Sequence, residues 1–255
     1  METPMCRLIA AWAVHALTLS GVVWALMAAI SLAQGDIGWM WVWLGVALVV
    51  DGVDGTLARK VGVREAIPWF SGSTVDIAVD YMTWSFLPAL FMYWYLPFGS
   101  DKVALAMAII AAVSSLFCYA SEYEKSADNY FVGFPAAWNV VAVIMYVLDT
   151  PAWINIGATV ILAILTLVPL HYTHPFRCVR FRKINLASVA GWIGATAAMV
   201  AFYPNKPWWL LAIFWVCGGW FILSGIIRTV VGPDRPTKRP RQSAAGEASA
   251  NHDVA

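Results

Sequence analysis

The residues of this chain best suited to chemistry are four aspartates between positions 51 and 80, in the stretch DGVDGTLARKVGVREAIPWFSGSTVDIAVD. Asp51 and Asp54 are three residues apart, and Asp76 and Asp80 are four apart. On a helix either spacing puts two side chains on one face, one turn above the other. The first pair follows WMWVWLGVALVV and the second runs into YMTWSFLPALFMYWYL. Both pairs therefore sit at or just inside the ends of strongly apolar helices. A carboxylate in hydrocarbon costs roughly 2.5 to 3.5 kcal/mol on insertion scales, and four so close also repel one another. Arg59 could offset one of them. One or two hard divalent cations, Mg²⁺ or Mn²⁺, could hold all four, because these ions take oxygen ligands and tolerate shared carboxylates. The plainer alternative is a set of acidic helix caps facing lipid headgroups, and two regular pairs interleaved with glycine favour the metal. Gly52, Gly55 and Ala58, each three residues from the next, make a small-residue stripe that lets a backbone or a bulky ligand come close.

The pattern Asp51-Gly52-x-Asp54-Gly55-x-x-Ala58-Arg59, then Gly72-x-x-x-Asp76-x-x-x-Asp80, resembles the signature of the CDP-alcohol phosphotransferase family. Twelve residues, Lys60 to Ser71, separate the arginine from Gly72, the next glycine of the signature, more than the family usually has. That longer connection resembles the bacterial phosphatidylcholine synthase branch, as do Ser71-Gly72 before the second pair and Asp80-Tyr81-Met82-Thr83 across its end. The stretch DNYFVGFPAAWN, Asp128 to Asn139, is similar to that branch as well, and the resemblance covers most of residues 10–230. It implies that Asp51, Asp54, Asp76 and Asp80 ligate two divalent ions, Mn²⁺ or Mg²⁺, with Asp80 also acting as the base. It implies that Gly55, Ala58 and Arg59 shape a CDP pocket, with Thr18 on the first helix beside it. The implied reaction joins CDP-diacylglycerol and choline to give phosphatidylcholine and CMP, in a homodimer of the bacterial inner membrane.

The elements that must position these residues are membrane helices. Hydrophobic residues make up 61% of the chain and charged residues 12%, with 15 Trp; a soluble domain carries about 25% charge. A net charge of +1 gives no footing for a nucleic-acid role. The four cysteines, Cys6, Cys118, Cys178 and Cys217, are scattered without a C-x-x-C, which suggests neither a disulfide framework nor zinc. About 20 apolar residues cross a bilayer, and eight stretches meet that length: 9–33, 38–58, 73–97, 103–121, 132–149, 152–170, 186–203 and 207–228. The first is too long for a cleaved signal. The expectation is an all-α polytopic bundle over residues 1–231, with a polar, disordered cytoplasmic tail over 232–255.

Eight spans with both ends on one side put fourteen of the sixteen Lys and Arg residues on that side and leave only Lys102 and Lys206 on the other. Such an excess marks the cytoplasmic face and places the aspartates there, where nucleotide-linked substrates occur. Residues 60–71 read as an interfacial segment at headgroup level. The loop SEYEKSADNY, Ser121 to Tyr130, reads as a plain turn or as a wall of the acceptor site. His171 to Lys183, HYTHPFRCVRFRK, is a positive-inside stop in which Arg177 and Arg180 could also bind lipid phosphate. His15 reads as a packed or capped histidine.

A quaternary ammonium donates no hydrogen bond, so aromatic faces and a carboxylate usually hold it. Tyr81, Glu122, Tyr123 and Trp138 are the candidates here, and an interfacial aromatic belt would place the same residue types at the same level. Serine, glycerol phosphate or inositol phosphate are the alternative acceptors. The charged ones would want more cations near the aspartates than Arg59 and Arg64. A divalent-cation transporter is the alternative of another class. The clustering of all four aspartates at one membrane face, and the absence of internal repeats, count against it.

Overall fold

The computed structural model describes residues 4–121, 130–174, 178 and 180–233. It is an all-α membrane bundle. Helix α1, Pro4–Gln34, and helix α2, Ile37–Val61, form a hairpin that packs along most of its length. The turn works because Gly35 takes φ +77° and Asp36 caps α2, its Oδ1 accepting the Trp39 N–H at 3.4 Å. At the other end α2 stops at Gly62, φ +67°, in the left-handed conformation that glycine adopts freely. Arg7 of α1 seals that end: its guanidinium donates to the carbonyls of Val61 and Gly62, both at 3.3 Å, and pairs with Glu65 at 3.6 Å.

The segment 60–71 folds back under α1. It contains one short helix, α3 (Val63–Ala66), and buries Val63 and Ile67 against Ala11 and Val14. Ser71 then caps α4, Gly72–Asp80, by accepting the Thr74 N–H at 3.3 Å. The expected span 73–97 is a helix in three parts. After α4 comes a π-register segment, Tyr81–Phe86, and then α5, Leu87–Tyr95. Pro88 sits in the first turn of α5 and has no N–H for the carbonyl one turn back, which accounts for the loss of α register just ahead of it. Thr83 turns its hydroxyl onto the Val79 carbonyl at 3.0 Å.

Helix α6, Asp101–Ala120, follows, then α7 (Trp138–Val147), α8 (Ala152–Leu165), α9 (Arg182–Ala201) and α10 (Trp208–Val231). Among the described residues five helices, α1, α2, α6, α9 and α10, are each long and apolar enough to span a bilayer. The fifth and sixth stretches hold shorter apolar helices, α7 and α8, of 10 and 14 residues. At about 1.5 Å per residue these fall short of the ~30 Å hydrocarbon layer. Residues at their ends instead form a small antiparallel ribbon, β1 (Phe131–Val132) against β2 (His171–Tyr172). Gly133, at φ +83°, turns the chain out of that ribbon toward α7.

The main core lies between α1, α2, α5, α6 and α7, around Met40, Phe91, Met92 and Trp138. A second core joins α7 to α9 and α10 through Val147, Met199 and Phe214. Val23, Val49, Val113, Val216 and Val230 are all exposed, as expected of a surface that meets lipid instead of water. Of the expected tail, residues 234–255 lie outside the described residues.

At the end of the bundle away from the aspartates, Asn155 is wholly buried and ties two loops together. It donates to the carbonyls of Pro97 at 2.9 Å and Thr150 at 3.2 Å, and accepts the Thr150 hydroxyl. Replacing it leaves buried partners unsatisfied, at about 1–3 kcal/mol each. Asn155→Ala is expected to lower the melting temperature in detergent by several degrees, and a melt matching wild type would contradict this network. Nearby, Tyr203 and Lys206 both donate to Asp149. Burial pushes that carboxyl up, but the two donors outweigh it and hold it below the usual range, while Tyr203 is pushed up to about 12.

Candidate functional site

The aspartates are placed by how α4 leans on α1. Gly21 makes one contact point, where an added Cβ would fall 2.4 Å from Val79 Cγ1. Gly72 makes the other, where a Cβ would fall 2.9 Å from the His15 ring. The two points are two turns apart on α4 and fix both its height and its rotation. Asp76 and Asp80 lie beside that contact face, and α2 lies along the same α1. Asp51 on α2 is thereby brought to Asp76 and Asp80 on α4. Carboxylate oxygens of the three lie within 4.8 Å of one another, and all three residues are half-buried.

Three carboxylates this close fit a divalent cation. Two unit charges 4 Å apart repel by about 4 kcal/mol at an effective dielectric of 20, and a hard oxygen-seeking ion converts that repulsion into ligation. The donor set is all oxygen, which suits Mg²⁺ or Mn²⁺ better than zinc. Asp54 is not in this group. It is 4% exposed and continues the buried stripe Met40, Leu44 and Ala47 of α2.

The other expected residues fall around this centre in different ways. Arg59 folds back along its own helix, donating to Thr56 Oγ1 at 3.2 Å, with its Nη1 lying 3.5 Å from where a Gly55 Cβ would be. A Cβ on Gly52 would meet nothing within 4 Å. Ala58 packs toward α1 with Val63 and Ile67. Thr18 is buried between the two α1–α4 contact points, its hydroxyl donating to the Val14 carbonyl at 3.3 Å. Tyr81, the residue after Asp80, is half-buried with its ring edge-on to Tyr119 at 6.2 Å. Trp138 is wholly buried, edge-on to Phe134 at 5.7 Å, and belongs to the core. Arg180 is half-buried ahead of α9, its carbonyl accepting from Asn185 Nδ2 at 3.1 Å. Glu122, Tyr123 and Arg177 lie outside the described residues.

Sequence reasoning did not single out Tyr119 or Arg228. Tyr119 was one aromatic among many, and only the packing of α6 against the π segment brings it to Tyr81. Arg228 counts toward the cytoplasmic charge excess, yet it is 6% exposed, with its guanidinium 5.5 Å above the Tyr130 ring. The signal was present in the apolar run that continues through Thr229 to Val231, which keeps the arginine inside its helix. His15 is also buried, boxed by Trp12 and Phe70, and its Nε2 makes no hydrogen bond.

No family model matches the chain. Its sequence is 45% identical over 212 residues to the phosphatidylcholine synthase of Pseudomonas aeruginosa, covering 83% of this chain and 89% of that protein. It is 37% identical over 201 residues to the phosphatidylcholine synthase of Mesorhizobium japonicum, covering 76% and 75%. With the phosphatidylcholine synthase of Brucella melitensis it shares 35% identity over 217 residues, covering 85% and 78%.

Proposed function

Since this multi-pass membrane protein belongs to the phosphatidylcholine synthase family, we propose that it condenses CDP-diacylglycerol with choline, giving phosphatidylcholine and CMP. The observation that carries the chemistry is the convergence of Asp51, Asp76 and Asp80 within 4.8 Å. These three hold divalent metal, Mg²⁺ or Mn²⁺, with Asp54 as a further carboxylate one turn along α2 and two ions in all. A metal held there would supply charge neutralisation for the diphosphate oxygens and for the leaving phosphate.

The residues of the chain supply the rest. Asp80 accepts the proton of the choline hydroxyl. The alcohol oxygen bonds to the phosphorus that bears diacylglycerol, and the bond from that phosphorus to the bridging oxygen breaks, so that CMP leaves with the electron pair. Gly52 and Gly55 keep side chains out of the space the diphosphate needs, and Arg59, hinged at Thr56, swings over its phosphates. The ammonium of choline rests against Tyr81 and Tyr119, beside the carboxylate that takes its proton. The site faces the cytoplasm from the inner membrane.

Purified protein given CDP-diacylglycerol is expected to release CMP and form lipid only when choline is present. EDTA should abolish the release and Mn²⁺ restore it. Incorporation of serine in place of choline would overturn the acceptor assignment, and turnover that survives chelation would overturn the metal.

A further inference from the structure

Residues 60–71 join the two helices that carry the aspartates, and they are fastened to α1 along their length. Arg7 holds the carbonyls of Val61 and Gly62, Val63 and Ile67 lie on Ala11 and Val14, and Gly72 rests on His15. Between these points the side chains divide. Val63 and Ile67 are buried, while Lys60, Arg64, Pro68 and Trp69 are exposed. Trp69 is 75% exposed, and its ring meets that of Trp12, also exposed, at 5.7 Å. Arg7 pairs with Glu65, the one carboxylate of the segment. Among the described residues Lys60 and Arg64 pair with no carboxylate.

Two unpaired cations beside two exposed indoles suit one kind of neighbour. Indole rings settle at the level of lipid headgroups, the ring in the apolar boundary and the N–H toward water. Lys and Arg at that level are drawn to the negative charge of the cytoplasmic leaflet. Helix α1 has 31 residues, about 46 Å at 1.5 Å per residue, and outruns the ~30 Å hydrocarbon layer. Its ends therefore stand among headgroups, and the segment is fastened to one of them. A water-soluble protein would answer the cations but would leave Trp69 and Trp12 without an apolar boundary to enter. We propose that the outer face of residues 60–71 docks on anionic phospholipid headgroups, and that this docking holds α2 and α4, with their aspartates, together. The docking stands apart from the reaction proposed above, whereas the hold on the aspartates rests on it.

Hydrogen–deuterium exchange of the wild-type protein in nanodiscs tests the docking without turnover. Each Lys or Arg at an anionic surface strengthens attachment roughly fivefold. Adding phosphatidylglycerol to phosphatidylcholine nanodiscs is therefore expected to slow exchange in peptides of 60–71 by about fivefold or more. The 203–207 turn, at the opposite end of the bundle, should not change. In Lys60→Gln/Arg64→Gln, which alters only exposed side chains, the slowing should vanish. Equal exchange of 60–71 in the two membranes, slowing that survives in the variant, or equal slowing at 203–207 would each overturn the docking. So would slowing by soluble glycerol phosphate in phosphatidylcholine nanodiscs, since the segment would then take free phosphate and not a membrane surface. CMP release should rise by about twofold or more with phosphatidylglycerol in wild type and stay flat in the variant. Slowed exchange with an unchanged rate would overturn the hold on the aspartates. Slowed exchange with no CMP released in either membrane would overturn the reaction assignment while the docking stands.

Discussion

Asp80→Asn is expected to reduce CMP release at least a thousandfold while leaving the protein folded. Asparagine keeps the size and the hydrogen-bonding reach of the side chain but cannot take a proton near neutral pH. General-base catalysis contributes about 10²- to 10⁴-fold, and the same substitution removes one of the three carboxylates that converge within 4.8 Å. The two losses separate through metal. If Asp80 only ligated, raising Mn²⁺ would restore the rate; if it takes the proton, saturating metal leaves kcat low. Asp76→Asn is expected to behave in the first way, with activity recovering as Mn²⁺ rises. Stability should move the other way. Removing one charge from a like-charged trio relieves repulsion worth about 4 kcal/mol per pair at 4 Å and an effective dielectric of 20. Metal-free Asp80→Asn should therefore melt no lower than metal-free wild type. Full turnover in the variant would remove Asp80 as the base.

The contrast between the two aspartate pairs shows what a sequence can and cannot convey. Residues four apart are about 40° apart around a helix and residues three apart about 60°. Asp76 and Asp80 accordingly stay together. Asp51 and Asp54 straddle the edge of the buried stripe, and Asp54 falls on its inner side with Met40 and Ala47. Which side of that edge each would take depends on how α2 is rotated against α1, and spacing alone does not contain that rotation. The meeting of Asp51 with Asp76 likewise rests on Gly21 and Gly72, which set how α4 leans on α1. Helix positions, by contrast, were legible, because a run of apolar residues must be helical wherever lipid supplies no hydrogen-bond partners. Hydropathy carries composition and not register, so it could not show the π segment that follows Asp80. Nor could it show how short α7 and α8 are, because apolar residues continue past the helix ends into a ribbon.

Gly133→Ala is expected to destabilise the fold by about 2–4 kcal/mol, more than any other single methyl group placed on a described glycine outside the site. Two costs add. At φ +83° a residue with a Cβ is held in a conformation worth about 1–3 kcal/mol of strain. The new methyl would also lie 2.4 Å from the Thr166 carbonyl oxygen and 3.2 Å from its carbon. That carbonyl belongs to the backbone, and its surroundings cannot easily give way. The Gly133 N–H donates to Leu170 at 2.9 Å, the Phe134 N–H donates to Leu165 at 3.0 Å, and Phe131 and Val132 are paired with Tyr172 and His171. Moving the 165–170 turn would break these bonds and displace His171, whose carbonyl lies 2.7 Å from where a Gly225 Cβ would be on α10. Gly157→Ala is the control. It sits in α8 with open space around it, and a helical glycine exchanged for alanine gains up to about 1 kcal/mol. Tryptophan fluorescence during thermal unfolding in detergent should show Gly133→Ala melting well below wild type and Gly157→Ala at or above it. Two coincident melts would mean that the turn tolerates a side chain, and that the ribbon does not constrain the chain between α7 and α8.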